Sequence, residues 1–265
     1  MDLKIALIQS SLVWGDVSRN LSDIDRKLRE AGEWDIVLLP EMFPAGAMMV
    51  KREAEEMIVE RERIAGCYEK VKRKMQEWAC RSGALVMGST VCREGERYYN
   101  RLIAAFPDGE TKYYDKRHCF RMGGENEYFT PGQERLVFEY KGVTIAAFIC
   151  YDLRFPVWSR NVEKYDLAVY IANWPASRRN VWQTLLRARA IENQCYVAGV
   201  NCVGTDNSGL VYAGDSALID AKGEIVRAAY EGKEEIVVAG LDLEALAMFR
   251  KKFAVLDDRD SFELT

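Results

Sequence analysis

Nine apolar, β-favouring runs recur along the chain: KIALIQ (4–9), DIVLLP (35–40), ALVMGST (84–90), RLIAAF (101–106), VTIAAFIC (143–150), DLAVYIAN (166–173), CYVAGV (195–200), DSALID (215–220) and EIVVAGL (235–241). Many are too continuously apolar for strands with one wet face, so they belong in sheets covered by other layers. Helix-like segments lie between them. Ser18 to Ala31 carries Leu21, Ile24 and Leu28 at helical spacing, Glu60 to Arg81 is charged with apolar residues interspersed, and Arg179 to Asn193 carries Leu185, Leu186 and Ile191. From about Leu241 the tail reads as a helix followed by a polar end.

The pattern repeats weakly. KIALIQ, DIVLLPE, ALVMGST and RLIAAFPDGE are answered in order by TIAAFICYD, DLAVYIANW, CYVAGVN and SALIDAKGE, at uneven offsets. In each half, two strands separated by a helix lead into a hairpin. The hairpins turn at Pro107-Asp108-Gly109 and at Asp220-Ala221-Lys222-Gly223. The expected fold class is α/β, a four-layer α-β-β-α sandwich of two internally similar halves. No low-complexity stretch or Pro-, Gly- or Ser-rich linker offers a place to cut it, so a single domain over 1–265 is expected.

Composition removes several classes of function. A formal net charge of −4 and a pI near 5.4 leave no basic surplus for nucleic acid or an acidic membrane, which makes a small-molecule partner the better expectation. The N-terminus is unlike a signal peptide, and no apolar run approaches the roughly 18 residues of a spanning helix, so a soluble, cytoplasmic protein is expected. The seven cysteines are widely spaced, without a CxxC pair, which argues against a disulfide framework or a zinc ribbon. With His118 as the single histidine, a histidine-rich metal site is out of reach, and no metal is expected.

Three residues on three separate strand ends carry the chemistry. Glu41 directly follows DIVLLP, at the carboxyl end of a strand, where open α/β sheets place ligand crevices; a partly desolvated carboxylate there suits proton acceptance. Cys150 ends VTIAAFIC at a strand-to-helix elbow, which would expose the thiol, free the Tyr151 amide for an oxyanion and favour thiolate through the helix N-terminus. Lys116, in TKYYDKRHCF, lies in an aromatic setting that could desolvate an ammonium. Each has a commoner role when taken alone: a capping or solvated glutamate, a buried structural cysteine, a solvated lysine. Together they supply the base, nucleophile and cation that amide hydrolysis needs without histidine.

LLPEMF around Glu41, YYDKRHCF around Lys116 and ICYDLRFP around Cys150 resemble the three signature segments of the nitrilase superfamily of carbon-nitrogen hydrolases, in that family's order and separations. The likeness runs from about Lys4 to Gly240 and implies the same α-β-β-α fold. It also implies a second glutamate orienting Lys116 and the substrate, Glu125 in GGENEYFTPG, with Glu127 as the neighbouring alternative. Within the superfamily, KRHCFRMGGENEYFTPG and ANWPASRRNVWQTLLRARAIENQCYV resemble the bacterial omega-amidases, which hydrolyse the terminal amide of 2-oxoglutaramate and related 2-oxo acid amides such as 2-oxosuccinamate.

That resemblance implies ping-pong acyl transfer through a Cys150 thioester, with no cofactor. Arg154, four residues after the nucleophile, would bind the substrate carboxylate; from spacing alone it could equally tie down the Asp152 turn. Phe120 and Trp174 are expected pocket walls, and a homodimer is the expected assembly. The rival readings are a transferase, an N-carbamoyl-amine or other small aliphatic amidohydrolase of the same superfamily, and a catalytically idle binding protein on the same fold. A protease using His118 would need an orienting Asn or Asp and further segments that the chain does not supply.

Overall fold

The computed structural model describes residues 3–30, 32–46 and 54–263. Along the first half run β1 (Leu3–Gln9), α1 (Val17–Glu30), β2 (Ile36–Leu38), α2 (Ala54–Ala65), α3 (Tyr68–Ser82), β3 (Leu85–Glu94), β4 (Arg97–Ala105) and β5 (Thr111–Asp115). The second half contributes α4 (Glu125–Tyr128), β6 (Leu136–Tyr140), β7 (Val143–Ile149), β8 (Leu167–Ala172), α5 (Arg179–Asn193) and β9 (Tyr196–Asn201). After these come β10 (Val203–Thr205), β11 (Val211–Ala213), β12 (Ala217–Ile219), β13 (Ile225–Ala228), β14 (Glu235–Leu241) and α6 (Leu243–Lys252).

Two six-stranded sheets form, in the orders β14-β1-β2-β3-β4-β5 and β6-β7-β8-β9-β12-β13. Their pairings follow the same sequence: antiparallel, parallel, parallel, antiparallel, antiparallel. The weak repeat in the sequence is therefore a repeat of sheet topology. The edges differ in origin, since β6 immediately precedes its half whereas β14 comes from the far end of the chain.

Strand residues alternate between faces, so a run buried on both sides must be apolar at every position. In the first sheet, Ile5, Leu7, Ile36 and Leu38 join one core with residues of the second sheet, such as Ile145, Val169 and Ile171. Ala6, Ile8, Val37 and Leu39 instead pack with Leu21 and Ile24 of α1 and Val71, Met75 and Trp78 of α3. Trp182 and Leu186 of α5 cover the second sheet. The result is the expected α-β-β-α sandwich. Gly88 of β3 and Gly199 of β9, at matching places in the two halves, make room for it. A Cβ on Gly88 would meet Phe43 at 2.8 Å, and one on Gly199 would meet Leu186 at 2.5 Å and Trp182 at 2.8 Å.

Several local expectations change. The segment from Glu60 to Arg81 forms parts of two helices, α2 and α3, separated at Gly66 and Cys67, where glycine lowers the cost of leaving the helix. Ala31, the last residue of the first anticipated helix, lies outside the described residues. From Cys150 runs a five-residue 3₁₀ turn (Cys150–Arg154) in place of the expected helix, because Pro156 keeps the preceding Phe155 out of the helical conformation. Edge strand β6, with a half-wet pattern, was not anticipated.

Candidate active site

The ends of β2, β5, β7 and β8 converge on one cleft. Pro40 ends the apolar run, and the chain turns at Met42 (φ 47°), whose N–H donates to Ser89 Oγ at 2.8 Å. This holds Glu41 inward, 3% exposed. Its Oε1 accepts from Asn100 Nδ2 at 2.8 Å and Lys116 Nζ at 2.9 Å, and its Oε2 from the Asn173 backbone N–H at 2.9 Å.

Lys116 follows β5 and is fixed by its own N–H donating to the Asn100 carbonyl at 3.0 Å. Its ammonium also donates to Glu125 Oε1 and Oε2, at 3.0 and 2.9 Å. Burial works against the charge, but Glu125, Glu41 and the nearby Cys150 sulfur outweigh it and hold the lysine well above its ordinary value. Glu125 opens the short α4, is buried, and accepts from the Phe120 N–H at 2.6 Å. Burial raises its carboxyl above the usual range, with Lys116 pulling down and Glu41 pushing up. Of the two candidate glutamates, the structure brings Glu125 to Lys116 and leaves Glu127 exposed.

Cys150 directly follows β7 with φ at 46°, a left-handed conformation that is strained for a residue with a Cβ. Part of it faces the cleft. Dense packing on its other sides, and then the Glu41 carboxylate, push the thiol well above its ordinary value against the pull of Lys116. The thiolate expected from a helix N-terminus is opposed here, since a single 3₁₀ turn supplies little dipole and two carboxyl groups stand nearby.

Asp152 joins the cysteine turn to the lysine segment. It is fully buried; Oδ2 accepts from Tyr114 Oη at 2.7 Å and Ile149 N–H at 3.0 Å, and Oδ1 from the His118 N–H at 3.0 Å and His118 Nδ1 at 2.7 Å. His118 also stacks on Phe155 at 3.7 Å, and the ring is absent from the cleft lining. Its role is structural, which removes the protease reading.

The cleft encloses about 560 Å³, including its open mouth. Every expected site residue other than Glu125, which stands behind Lys116, lines it: Glu41, Lys116, Phe120, Cys150, Tyr151, Arg154 and Trp174. Arg154 does not tie down Asp152. Its guanidinium lies 5.3 Å from the Trp174 ring centroid, and it makes no hydrogen bond or ion pair among the described residues.

Asn100, Asn173, Arg178 and Tyr212 went unnoticed in the sequence. Asn173 donates through Nδ2 to the Glu41 carbonyl at 2.8 Å, and its Oδ1 is buried without a partner among the described residues. The available signal was a polar residue closing the apolar run DLAVYIAN. Asn201, closing β9, accepts from the Trp174 N–H at 2.7 Å and so seats that wall. Leu210 and Tyr212, on or beside β11, complete the lining. Among the described residues, no helix is long and apolar enough to cross a membrane, and no group of His, Cys, Asp and Glu could hold a metal.

The chain is similar to known proteins along its whole length. The chain is 45% identical to the omega-amidase YafV of Yersinia enterocolitica, over 99% of its own length and 98% of that protein's. It is 35% identical to the 2-oxoglutaramate amidase of Bacillus subtilis, over 97% and 98% of the two chains. A carbon-nitrogen hydrolase superfamily protein from Xanthomonas campestris, solved with an arsenic adduct in its active site, superposes with a TM-score of 0.93 at 41% identity, covering all of both chains. Residues 4–251 match the carbon-nitrogen hydrolase profile, and the chain belongs to that family.

Proposed function

We propose that the chain is an omega-amidase, hydrolysing the terminal amide of small 2-oxo acid amides such as 2-oxoglutaramate and 2-oxosuccinamate. The products would be the dicarboxylate and ammonia. One observation carries this reading: Cys150 meets the buried Glu41–Lys116–Glu125 cluster in a cleft whose wall presents Arg154. The omega-amidase and 2-oxoglutaramate amidase among its relatives support it.

In this reading Glu41 takes the Cys150 proton as the sulfur attacks the amide carbonyl carbon. The high thiol pKa makes that transfer part of the attack, and the sulfur so formed is a strong nucleophile. Lys116 and the Tyr151 backbone amide stabilise the oxyanion. As the carbonyl re-forms, the C–N bond breaks and Glu41 protonates the departing ammonia. Water, deprotonated by the same carboxylate, then attacks the thioester; the C–S bond breaks and the proton returns to sulfur. Glu125 keeps Lys116 charged and aimed, Arg154 pairs with the substrate carboxylate, and Phe120 and Trp174 wall the pocket.

Ammonia release tests the reading, with 2-oxoglutaramate, N-carbamoyl amines, free glutamine and neutral aliphatic amides compared and Cys150→Ala as the blank. Highest kcat/KM for 2-oxoglutaramate is expected. Preference for an N-carbamoyl amine or a neutral amide would reject it.

We further infer that the chain works as one catalytic domain, in the cytoplasm, as a homodimer. Seven free cysteines suit a reducing compartment. Exposed Ile225 and Val226 on β13, and Met248 on α6 with Phe253 beyond it, offer apolar surface for a second copy. A monomer at micromolar concentration by sedimentation would refute the dimer.

A further inference from the structure

We propose that Arg178 is a specificity-determining residue: together with Arg154 it makes the cleft accept an amide that carries a carboxylate and a 2-oxo group, and turn away the matching 2-amino acid amide. The proposal rests on the omega-amidase reading above and adds the residue that selects within it.

Arg178 lines the same cleft as Arg154, from the segment between β8 and α5, and is half-buried. Its guanidinium lies 5.1 Å from the Phe120 ring centroid, as that of Arg154 lies 5.3 Å from Trp174. Trp174 Nε1 donates to the Arg178 carbonyl at 2.9 Å, so one aromatic wall is tied to both arginines. Among the described residues, Arg178 makes no ion pair. The contrast with its neighbour is direct: Arg179 is held by Asp215 at 2.7 and 3.0 Å and also by Glu231.

Nor does helix stability account for Arg178. It stands at the N-cap of α5, an end where the helix dipole disfavours a cation. The acid lining the cleft, Glu41, is already engaged by Asn100, Lys116 and Asn173, and cannot neutralise the wall. Two uncompensated guanidiniums therefore face the space where the non-reacting end of a substrate must sit.

Guanidinium groups only donate hydrogen bonds. A 2-oxo acid amide offers them a carboxylate and a carbonyl oxygen, all acceptors. Its 2-amino counterpart places an ammonium beside the carboxylate, which sets donor against donor and cation against cation.

Three amides of one chain length separate these effects: glutaramate, with CH₂ at position 2; 2-oxoglutaramate, with a carbonyl; and glutamine, with an ammonium. The parent should rank 2-oxoglutaramate first and glutamine last in kcat/KM. Arg178→Met should lower the 2-oxoglutaramate-to-glutamine ratio by about tenfold or more, the scale of a modest like-charge penalty. Arg178→Lys, which keeps the charge, should retain most of the ratio, and iodoacetamide labelling of Cys150 should be unchanged in both. Should Arg178→Met fail to fold, Arg178→Gln carries the same comparison against Arg178→Lys. Equal losses on all three amides, or an unchanged ratio, would overturn the selective role while leaving the omega-amidase reading intact. A parent that releases ammonia from neutral amides but from none of these three would overturn both.

Discussion

Lys116 shows how much of this cleft is a matter of charge. An ammonium 1% exposed is tolerated because two carboxyl groups surround it, and removing either kind of partner leaves the other unpaired. Lys116→Met should therefore cost stability as well as rate, by about 3–5 kcal/mol, as expected for breaking a buried ion pair. In that variant Glu125, raised by burial and freed of the lysine that pulls it down, holds a proton more tightly folded than unfolded. Stability should thus be greatest at low pH and fall as pH rises through the raised carboxyl range, which denaturant melts between pH 4 and 8 will read. Glu41→Gln should lower turnover by at least about 10²-fold if the carboxylate is the general base. The same change removes the charge that raises the Cys150 pKa while Lys116 remains, so the pH midpoint for alkylating Cys150 should move down. Peptide mapping, with exposed Cys80 as the internal reference, decides it. An upward move would mean that Glu41 does not repel the thiolate. For Arg154, the Lys and then the Met replacement should lower kcat/KM on 2-oxoglutaramate stepwise, by roughly one to three orders of magnitude, as lost charged hydrogen bonds predict. Equal loss on a neutral amide would count against carboxylate pairing.

Between elements, the cleft depends on two kinds of connection. Asp152 ties the cysteine turn after β7 to Tyr114 on β5 and His118 just beyond Lys116, so nucleophile and cation are placed by one buried carboxylate. Tyr114→Phe removes one of its hydrogen bonds and should cost about 1–2 kcal/mol in urea unfolding. Asp152→Ala strands several donors and should cost more. Gly199 provides the other connection by letting α5 approach β9. Gly199→Ala puts a Cβ 2.5 Å from Leu186, and overpacking of this kind costs about 1–3 kcal/mol. A melting temperature equal to the parent's would mean that α5 shifts freely on the sheet.

Across the whole molecule, the chain's two ends meet in one sheet. β14 pairs with β1 over seven residues, from Leu3–Leu241 to Gln9–Glu235. Gln9, 1% exposed, extends the join: its Nε2 donates to the Tyr230 and Lys233 carbonyls at 2.9 Å, and its Oε1 accepts from the Ser216 N–H at 3.0 Å. The second half brings its own edge strand, β6, whereas the first borrows its edge from the C-terminus. A chain ending at Gly232 should consequently lose the edge of the first sheet and become protease-sensitive throughout. Cleavage confined to the first half, before β6, would show that the second half stands alone.

The sequence by itself determined the strands, their burial on both faces and the doubled pattern, because side-chain periodicity is a local property and an apolar residue at every strand position needs cover on each side. It also carried Glu41, Lys116 and Cys150, each at a strand end, where strands open onto a crevice. Other features needed the tertiary structure. Glu41 is held by Asn100 and Asn173, 59 and 132 residues away, and no local pattern marks an asparagine as the partner of so distant a carboxylate. The state of the Cys150 thiol depends on dense packing and two carboxyl groups brought from other segments, which reversed the acidity that a helix terminus alone suggested. Nothing in the sequence set Arg178 apart from Arg179 beside it. Only the fold sends one arginine to Asp215 and Glu231 and the other into the cleft, because which acids lie within reach is decided by how the elements pack.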